Sequence, residues 1–184
     1  MPLYDAIYSF EGIQHILGRH EQGCLHEAEG YAKSTGKLGV AVVTSGPGAT
    51  NAITGIADAM SDSVPLLVFT GQVNRAGIGK DAFQEADIVG ITMPITKYNF
   101  IVKDITKLAD TIRRAFTIAR SGRPGPVLVD ITKDVTASTC EYEYKEPEEV
   151  KPDSSTITDE DIDTAIRMIR NSKKPFIFVG GGAV

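Results

Sequence analysis

Three short apolar runs constrain the fold of this chain more than any other feature. They occupy residues 38–44, 65–70 and 126–131. Continuous apolar runs of this length are typical of strands that are buried on both faces of a sheet. Between them lie stretches with apolar residues at every third or fourth position, as in an amphipathic helix. The alternation predicts an α/β fold with a parallel sheet and helices on both faces.

The same patterns predict the remaining elements. Helices are expected over 21–35, 49–60 and 105–121, and further strands over 12–19, 96–102 and 175–179. Thr158, followed by three acids, predicts a helix start, because a hydroxyl can cap the first turn and acids favour the positive end of the helix dipole. Residues 73–86 show little periodicity, and long irregular segments inside a compact domain are often functional.

The domain organisation follows from a change in composition. Residues 141–163 contain ten acids and two bases, together with two prolines, which is typical of a solvated connector. We therefore expect a first domain over 1–136, an acidic linker over 137–157 and the beginning of a second α/β domain over 158–184. Because three glycines follow the last predicted strand, we expect the chain to be part of a longer protein.

Composition excludes several functional classes. The bases outside the acidic stretch are scattered and are not interleaved with aromatic residues, so a nucleic-acid partner is not expected. Apolar runs far shorter than about 20 residues and an N-terminus without a signal-peptide pattern predict a cytoplasmic protein without a membrane partner. Cys24 and Cys140 lie far apart, and no metal-ligand spacing is found in the chain.

Candidate site residues follow the predicted strands, where ligands of parallel sheets bind. The segments are 19–23, 44–51, 70–73 and 122–126. Glu21 stands at a predicted helix start. On local sequence alone, its favourable interaction with the helix dipole would account for an acid at this position. The Gly46-Pro47-Gly48 segment is similar to a phosphate-binding loop, but it lacks the lysine of a P-loop and the spacing of a dinucleotide fingerprint. A plain turn therefore remains open for it.

Six segments in a fixed order carry a resemblance to a known family. They read HEQG at 20–23, AEGYA at 28–32, VTSGPGATN at 43–51, FTGQV at 69–73, DAFQEAD at 81–87 and GRPGPV at 122–127. Together they resemble the pyrimidine-binding domain of acetolactate (acetohydroxyacid) synthase catalytic subunits, which are thiamine-diphosphate enzymes. Ile78-Gly79 with segment 81–87 separates this family from pyruvate oxidases and decarboxylases.

The resemblance implies an activity and a role for Glu21. The family condenses two pyruvates, or pyruvate with 2-oxobutyrate, with loss of CO₂ in branched-chain amino-acid biosynthesis. Glu21 matches the glutamate that hydrogen-bonds N1′ of the cofactor aminopyrimidine. An acid there favours the imino tautomer, whose nitrogen removes the proton from the reactive thiazolium carbon.

The resemblance also implies further site residues. Pro47, Asn51 and Gln84 match residues at the cofactor, and Phe83, Gln84 and Lys133 match residues on the substrate channel. Arg123 matches an arginine that contacts FAD, which is structural in these synthases. From the residues alone, Pro47 could instead shape a turn, Phe83 could belong to the core, and Arg123 could interact with a helix C-terminus.

The remaining partners are implied to lie outside this chain. In the family, Mg²⁺ and the diphosphate are bound by a separate domain with a Gly-Asp-Gly element, which does not occur in this sequence. The cofactor lies between two subunits, which implies a homo-oligomer (a dimer or higher), and a regulatory subunit is a further implied partner. We therefore expect the isolated chain to be inactive.

Two other functions remain open. The first is another thiamine-diphosphate carboligase or decarboxylase, against which segment 81–87 argues. The second is a non-catalytic dimerising remnant, against which the retention of Glu21 argues.

Overall fold

The computed structural model describes residues 2–146, 149–150 and 156–183. The chain forms two compact units, Met1–Glu149 and Val150–Val184. Among the described residues, no helix is both long enough and apolar enough to cross a membrane.

The first unit is built on a four-stranded sheet. Its strands are β1 (Gly39–Val43), β2 (Leu66–Gln72), β3 (Tyr98–Val102) and β4 (Pro126–Thr132). They are all parallel and lie in the order β1-β2-β4-β3. Every residue of the inner strand β4 is buried, as its mainly apolar run predicts. The three apolar runs are therefore β1, β2 and β4, which lie side by side.

Helices surround this sheet. The helices of the first unit are α1 (Pro2–Ser9), α2 (Glu21–Thr35), α3 (Pro47–Asn51), α4 (Ile53–Ser61), α5 (Ile88–Thr92), α6 (Ile105–Arg120) and α7 (Lys133–Thr136), with 3₁₀ turns at Arg75–Gly77 and Met93–Ile95. Helix α2 begins at Glu21 because His20 caps it, its Nδ1 accepting from Gln22 N at 3.2 Å. It ends at Gly36, whose φ of 68° suits glycine.

Two apolar cores hold the helices against opposite faces of the sheet. On one face, Leu25 of α2 and Ile56 of α4 pack with Leu66, Val68 and Leu128. On the other face, Ala115 and Ala119 of α6 pack with Leu67, Val127 and Val129. Burying each large aliphatic side chain contributes roughly 1.5–3 kcal/mol. The predicted α/β fold with helices on both faces is confirmed.

The strand predicted over 12–19 is wrong. The structure has no strand there, and Ile13, Ile16 and Leu17 are exposed. Their spacing does not alternate as a half-buried strand requires, and Gly12 and Gly18 flank them. This segment instead leads into the N-terminus of α2.

The other helix predictions need smaller corrections. The single helix expected over 49–60 is divided at Ala52 into α3 and α4. The sequence did not predict α1, α5 and α7, because helices of eight residues or fewer span too few turns to show a helical period.

The second unit contains α8 (Asp159–Asn171) and a 3₁₀ turn at Gly181–Ala183. The predicted helix start is confirmed, since Thr158 and Asp161 form a reciprocal capping box. The strand predicted over 175–179 is wrong: the structure has no strand there, and the described part of this unit offers no other strand to pair with it. The proposed domain boundaries remain a prediction, and residues 147–148 and 151–155 of the proposed linker lie outside the described residues.

Candidate functional site

The predicted site residues converge mainly at one edge of the sheet. In a parallel sheet all strands end at the same edge, so the segments after β1, β2 and β4 lie there together. They are the turn after β1, the loop over 73–87 after β2, and helix α7 after β4. The N-terminus of α2 joins them through a contact between Glu21 and Asn51.

Glu21 is an oriented, ionised carboxylate at this edge. Asn51 Nδ2 donates a hydrogen bond to Glu21 Oε2 at 3.1 Å. This bond, followed by the carboxylate's interaction with the backbone at the start of α2, lowers the pKa of Glu21 below its ordinary value. Oxygen Oε2 is thereby committed to Asn51, and Oε1 is left facing the Gly-Pro-Gly turn.

The Gly46-Pro47-Gly48 turn passes directly beside that carboxylate. A Cβ at Gly48 would lie 2.6 Å from Thr44 Cγ2 and 3.2 Å from Glu21 Oε1. Pro47 is exposed at the first position of α3, where its missing N–H has no helical partner to lose. A side chain at position 48 would collide with Thr44 and crowd Glu21, so glycine lets the turn pass this close to the carboxylate.

The loop over 73–87 reaches the same turn from the other side. A Cβ at Gly46, whose φ is 58°, would lie 2.7 Å from the carbonyl oxygen of Gln84 and 2.9 Å from its Cα. Gln84 therefore rests against the turn with its backbone. Its neighbour Phe83 is 89% exposed, so the alternative that Phe83 belongs to the core is wrong.

A buried carboxyl group that we did not predict connects this loop to the sheet. Asp130 of β4 accepts hydrogen bonds from Thr70 Oγ1 at 2.7 Å and from Gln72 Nε2 at 3.0 Å. Gln72 Nε2 also donates to the carbonyl oxygen of Ala86 at 3.0 Å. Burial raises the pKa of Asp130 to about 6. A single acid inside an otherwise apolar strand was the sequence signal that could have identified it.

Lys133 lies at this edge because it is the first residue of α7, directly after β4, and it is exposed. Its neighbour Asp134 forms an ion pair that sequence reasoning also missed. Arg75 donates to Asp134 from Nε at 2.6 Å and from its backbone N at 3.1 Å. The pair ties the beginning of the 73–87 loop to α7.

Arg123 lies at the opposite edge of the sheet. It precedes β4, and it donates from Nε to Ser63 Oγ at 2.7 Å and from Nη2 to the carbonyl oxygens of Met60 and Ser61 at 3.2 Å. The guanidinium thus binds the C-terminal end of α4, which is the helix-end interaction that local sequence left open. The structure does not bring Arg123 together with Glu21, and its contact with a flavin remains a prediction.

One cluster with metal-like spacing occurs among the described residues. It consists of His26, Glu29 and Asp58, on α2 and α4 and away from the Gly-Pro-Gly turn. Lys33 Nζ lies 2.8 Å from Glu29 Oε1 and 2.7 Å from Asp62 Oδ2. An ammonium group already balances the buried Glu29, so the cluster forms an ion-pair network between the two helices.

The edge fits an aminopyrimidine by the chemistry of its groups. A ring nitrogen that carries a proton needs an ionised acceptor, and Glu21 Oε1 offers one beside a turn with no side chains at positions 46 and 48. Asn51 holds the carboxylate in place. Mg²⁺ takes about six oxygen ligands in octahedral geometry. Among the described residues, the one group of three or more possible metal ligands is the His26, Glu29 and Asp58 cluster, which is not at this turn.

Comparison with known proteins agrees with this chemistry. Residues 1–91 match the family described as "Thiamine pyrophosphate enzyme, N-terminal TPP binding domain". The acetolactate synthase large subunit of Lactococcus lactis is 60% identical over 99% of this chain and 32% of its own length. The large subunit of Haemophilus influenzae is 50% identical and the acetolactate synthase of Arthrospira platensis 49%, each over all of this chain and 33% of its own length. The chain spans about a third of the length of the curated relatives it matches.

Proposed function

Because the chain belongs to the acetolactate synthase family of thiamine-diphosphate enzymes, we propose that it forms the aminopyrimidine-binding part of an acetolactate synthase. The whole enzyme would condense two pyruvates, or pyruvate with 2-oxobutyrate, with loss of CO₂. The observation that carries this proposal is the Glu21 carboxylate, which Asn51 orients beside the Gly46-Pro47-Gly48 turn.

Glu21 is the catalytic residue of the proposal. When bound, thiamine diphosphate supplies a carbon nucleophile and an electron sink for the decarboxylation of a 2-oxo acid. Glu21 holds a proton at the pyrimidine ring nitrogen through Oε1, while Asn51 keeps Oε2 occupied. The depressed pKa of Glu21 means that the carboxylate enters this exchange ionised, as an acceptor.

The loop over 73–87 and α7 form the substrate side of the proposed site. Phe83 presents an exposed ring that would exclude water from a small 2-oxo acid. Gln84 lies against the Gly46-Pro47-Gly48 turn. Lys133 places an ammonium group at the same edge, where it would attract the carboxylate of the incoming substrate.

Other parts of the enzyme complete the proposal. Magnesium and the diphosphate would be held by residues outside this chain, and a second copy would close the cofactor site in a homo-oligomer. FAD would be a structural cofactor in contact with Arg123. The contact would use Nη1, because the hydrogen bonds described above come from Nε and Nη2. A regulatory subunit and a cytoplasmic location belong to the same proposal.

The test uses the full-length protein with pyruvate, thiamine diphosphate and Mg²⁺, and it measures acetolactate. Glu21→Gln keeps the shape of the side chain but cannot hold the ring proton, so we expect turnover to fall by about 10² or more. Glu27→Gln, on the exposed side of α2, is the matched control. Near-normal turnover of Glu21→Gln would contradict the role of Glu21.

The same assay separates the alternatives. Turnover of sulfoacetaldehyde or glyoxylate, without acetolactate formation from pyruvate, would identify another carboligase or decarboxylase of the superfamily. Absence of any turnover together with absence of thiamine diphosphate binding would identify a non-catalytic protein.

A further inference from the structure

The loop over 73–87 is organised around one of its own carboxylates. Glu85 Oε1 accepts a hydrogen bond from the backbone N of Gly79, and Glu85 Oε2 accepts one from Ala82 N at 2.9 Å. The backbone N of Glu85 donates in return to the carbonyl oxygen of Ala82 at 2.9 Å. One side chain therefore closes the segment 79–85 into a compact turn.

The N–H groups of this turn favour the charged form of Glu85. Backbone N–H groups of Ala82 and Gly79, and then of Lys80 and Asp81, lower the pKa of Glu85 below its ordinary value. Successive N–H groups that converge in this way form a concave anion-binding site, which in other proteins is often occupied by a phosphate. In this loop the anion is an internal carboxylate.

The turn also holds an unfavourable backbone conformation. Gly79 has a φ of 77°, and the non-glycine residues Asp81 and Gln84 have φ values of 52° and 60°. Non-glycine residues adopt this left-handed region at a steric cost and keep it only when surrounding contacts demand it. The carboxylate of Glu85 binds the backbone on both sides of Asp81, at Gly79 and at Ala82.

The conformation has a consequence at the site. Gln84 rests with its backbone on Gly46, and Phe83 is turned outward into solvent. Gly46 is the first residue of the Gly-Pro-Gly turn, and Gly48 in the same turn lies beside Glu21, since a Cβ there would be 3.2 Å from Oε1. The position of both predicted site residues therefore depends on the turn that Glu85 closes.

We propose that Glu85 is a positioning residue whose carboxylate, by binding the backbone of Gly79 and Ala82, fixes Phe83 and Gln84 at the mouth of the site. This inference deepens the proposed function and rests on it. Glu85 touches no reacting atom, and it acts only through the two residues that precede it.

Independent anchors make the role of Glu85 separable from folding. Arg75 binds Asp134 at the start of the loop, and Gln72 binds the carbonyl oxygen of Ala86 at its end. Loss of the Glu85 carboxylate should therefore release residues 79–84 while both ends of the loop stay attached to the sheet.

The test compares Glu85→Gln with Glu27→Gln in the full-length enzyme. Glutamine keeps the length of the side chain, but it removes the charge and turns an amide N–H₂ toward backbone N–H groups. We expect faster hydrogen exchange in residues 79–84, an unchanged melting temperature, and a fall of kcat/KM for pyruvate by about tenfold to a hundredfold, as small displacements near a reacting centre produce. The larger part should appear in KM, because the loop meets the substrate.

The outcomes distinguish the two proposals. An active wild-type enzyme whose Glu85→Gln variant matches Glu27→Gln in hydrogen exchange and kcat/KM would overturn the positioning role and leave the proposed function intact. A Glu85→Gln variant that unfolds globally would also overturn it, because the carboxylate would then support the fold as a whole. A wild-type enzyme that forms no acetolactate would overturn the proposed function, and with it the positioning role of Glu85.

Discussion

Asn51 and Glu21 lie 30 positions apart in the chain, yet Asn51 Nδ2 donates a hydrogen bond to Glu21 Oε2 at 3.1 Å. Glu21 begins α2 and Asn51 ends α3, so packing of both helices at the carboxyl edge of the sheet creates the contact. The amide orients the carboxylate and favours its charged form. The site thus has an ionised acceptor in place before any ligand arrives.

Asn51→Ala should raise the pKa of Glu21 toward its ordinary value. The hydrogen bond from Asn51 is the largest cause of the depressed pKa, and its loss removes stabilisation of the charged form. A ¹³C NMR titration of the glutamate carboxyl groups measures the shift. Thr54→Ala, exposed on α4, is the control. A Glu21 titration that is the same in both variants would contradict the role given to Asn51.

Gly48→Ala should lower activity, whereas Gly30→Ala should not. A Cβ at Gly48 would collide with Thr44 and press on Glu21 Oε1, whereas a Cβ at Gly30, inside α2, meets nothing within 4 Å. We expect Gly48→Ala to lower acetolactate formation by about a hundredfold in the full-length protein. Gly30→Ala should keep activity and stabilise the helix by up to about 1 kcal/mol.

Acetolactate assays and thermal melting check this pair of variants. Equal activity of Gly48→Ala and Gly30→Ala would show that the turn does not need to approach Glu21 so closely.

Asp130→Asn should change how stability depends on pH. Burial raises the pKa of Asp130 to about 6 in the folded chain, so the folded state binds this proton more tightly than the unfolded state, where an aspartate has a pKa of about 3.9. The free energy of unfolding therefore loses a contribution as pH rises from about 4 through about 6, by roughly 3 kcal/mol at most. Asparagine has no proton to lose there, and its amide can still pair with Thr70 and Gln72.

Denaturant titrations at about pH 4.5 and about pH 7.5 test this expectation. The stability of Asp130→Asn relative to wild type should be greater at the higher pH, by roughly 1–3 kcal/mol. Asp163→Asn, exposed on α8, is the control. Parallel curves for wild type and Asp130→Asn would mean that Asp130 does not titrate in this range.

Local pattern was sufficient for most of the sheet and its main helices. Strands β1, β2 and β4 follow from continuous apolar runs, and α2, α6 and α8 follow from helical periodicity and caps. Pattern failed over 12–19 and 175–179, because a strand exists only where a neighbour satisfies its backbone hydrogen bonds. Sequence alone contains no record of which segments lie side by side.

The order of its motifs by itself determined the family of this protein and marked Glu21, Pro47, Asn51, Phe83, Gln84 and Lys133. Only the tertiary structure decided that Asn51 meets Glu21, that Gln84 rests on Gly46, that Asp130 is connected to the loop through Gln72, and that Arg123 lies at the far edge. Residues that are distant along the chain become neighbours only through packing of the sheet and its helices. Hydrogen bonds, pKa shifts and steric limits depend on those distances, which no local pattern encodes.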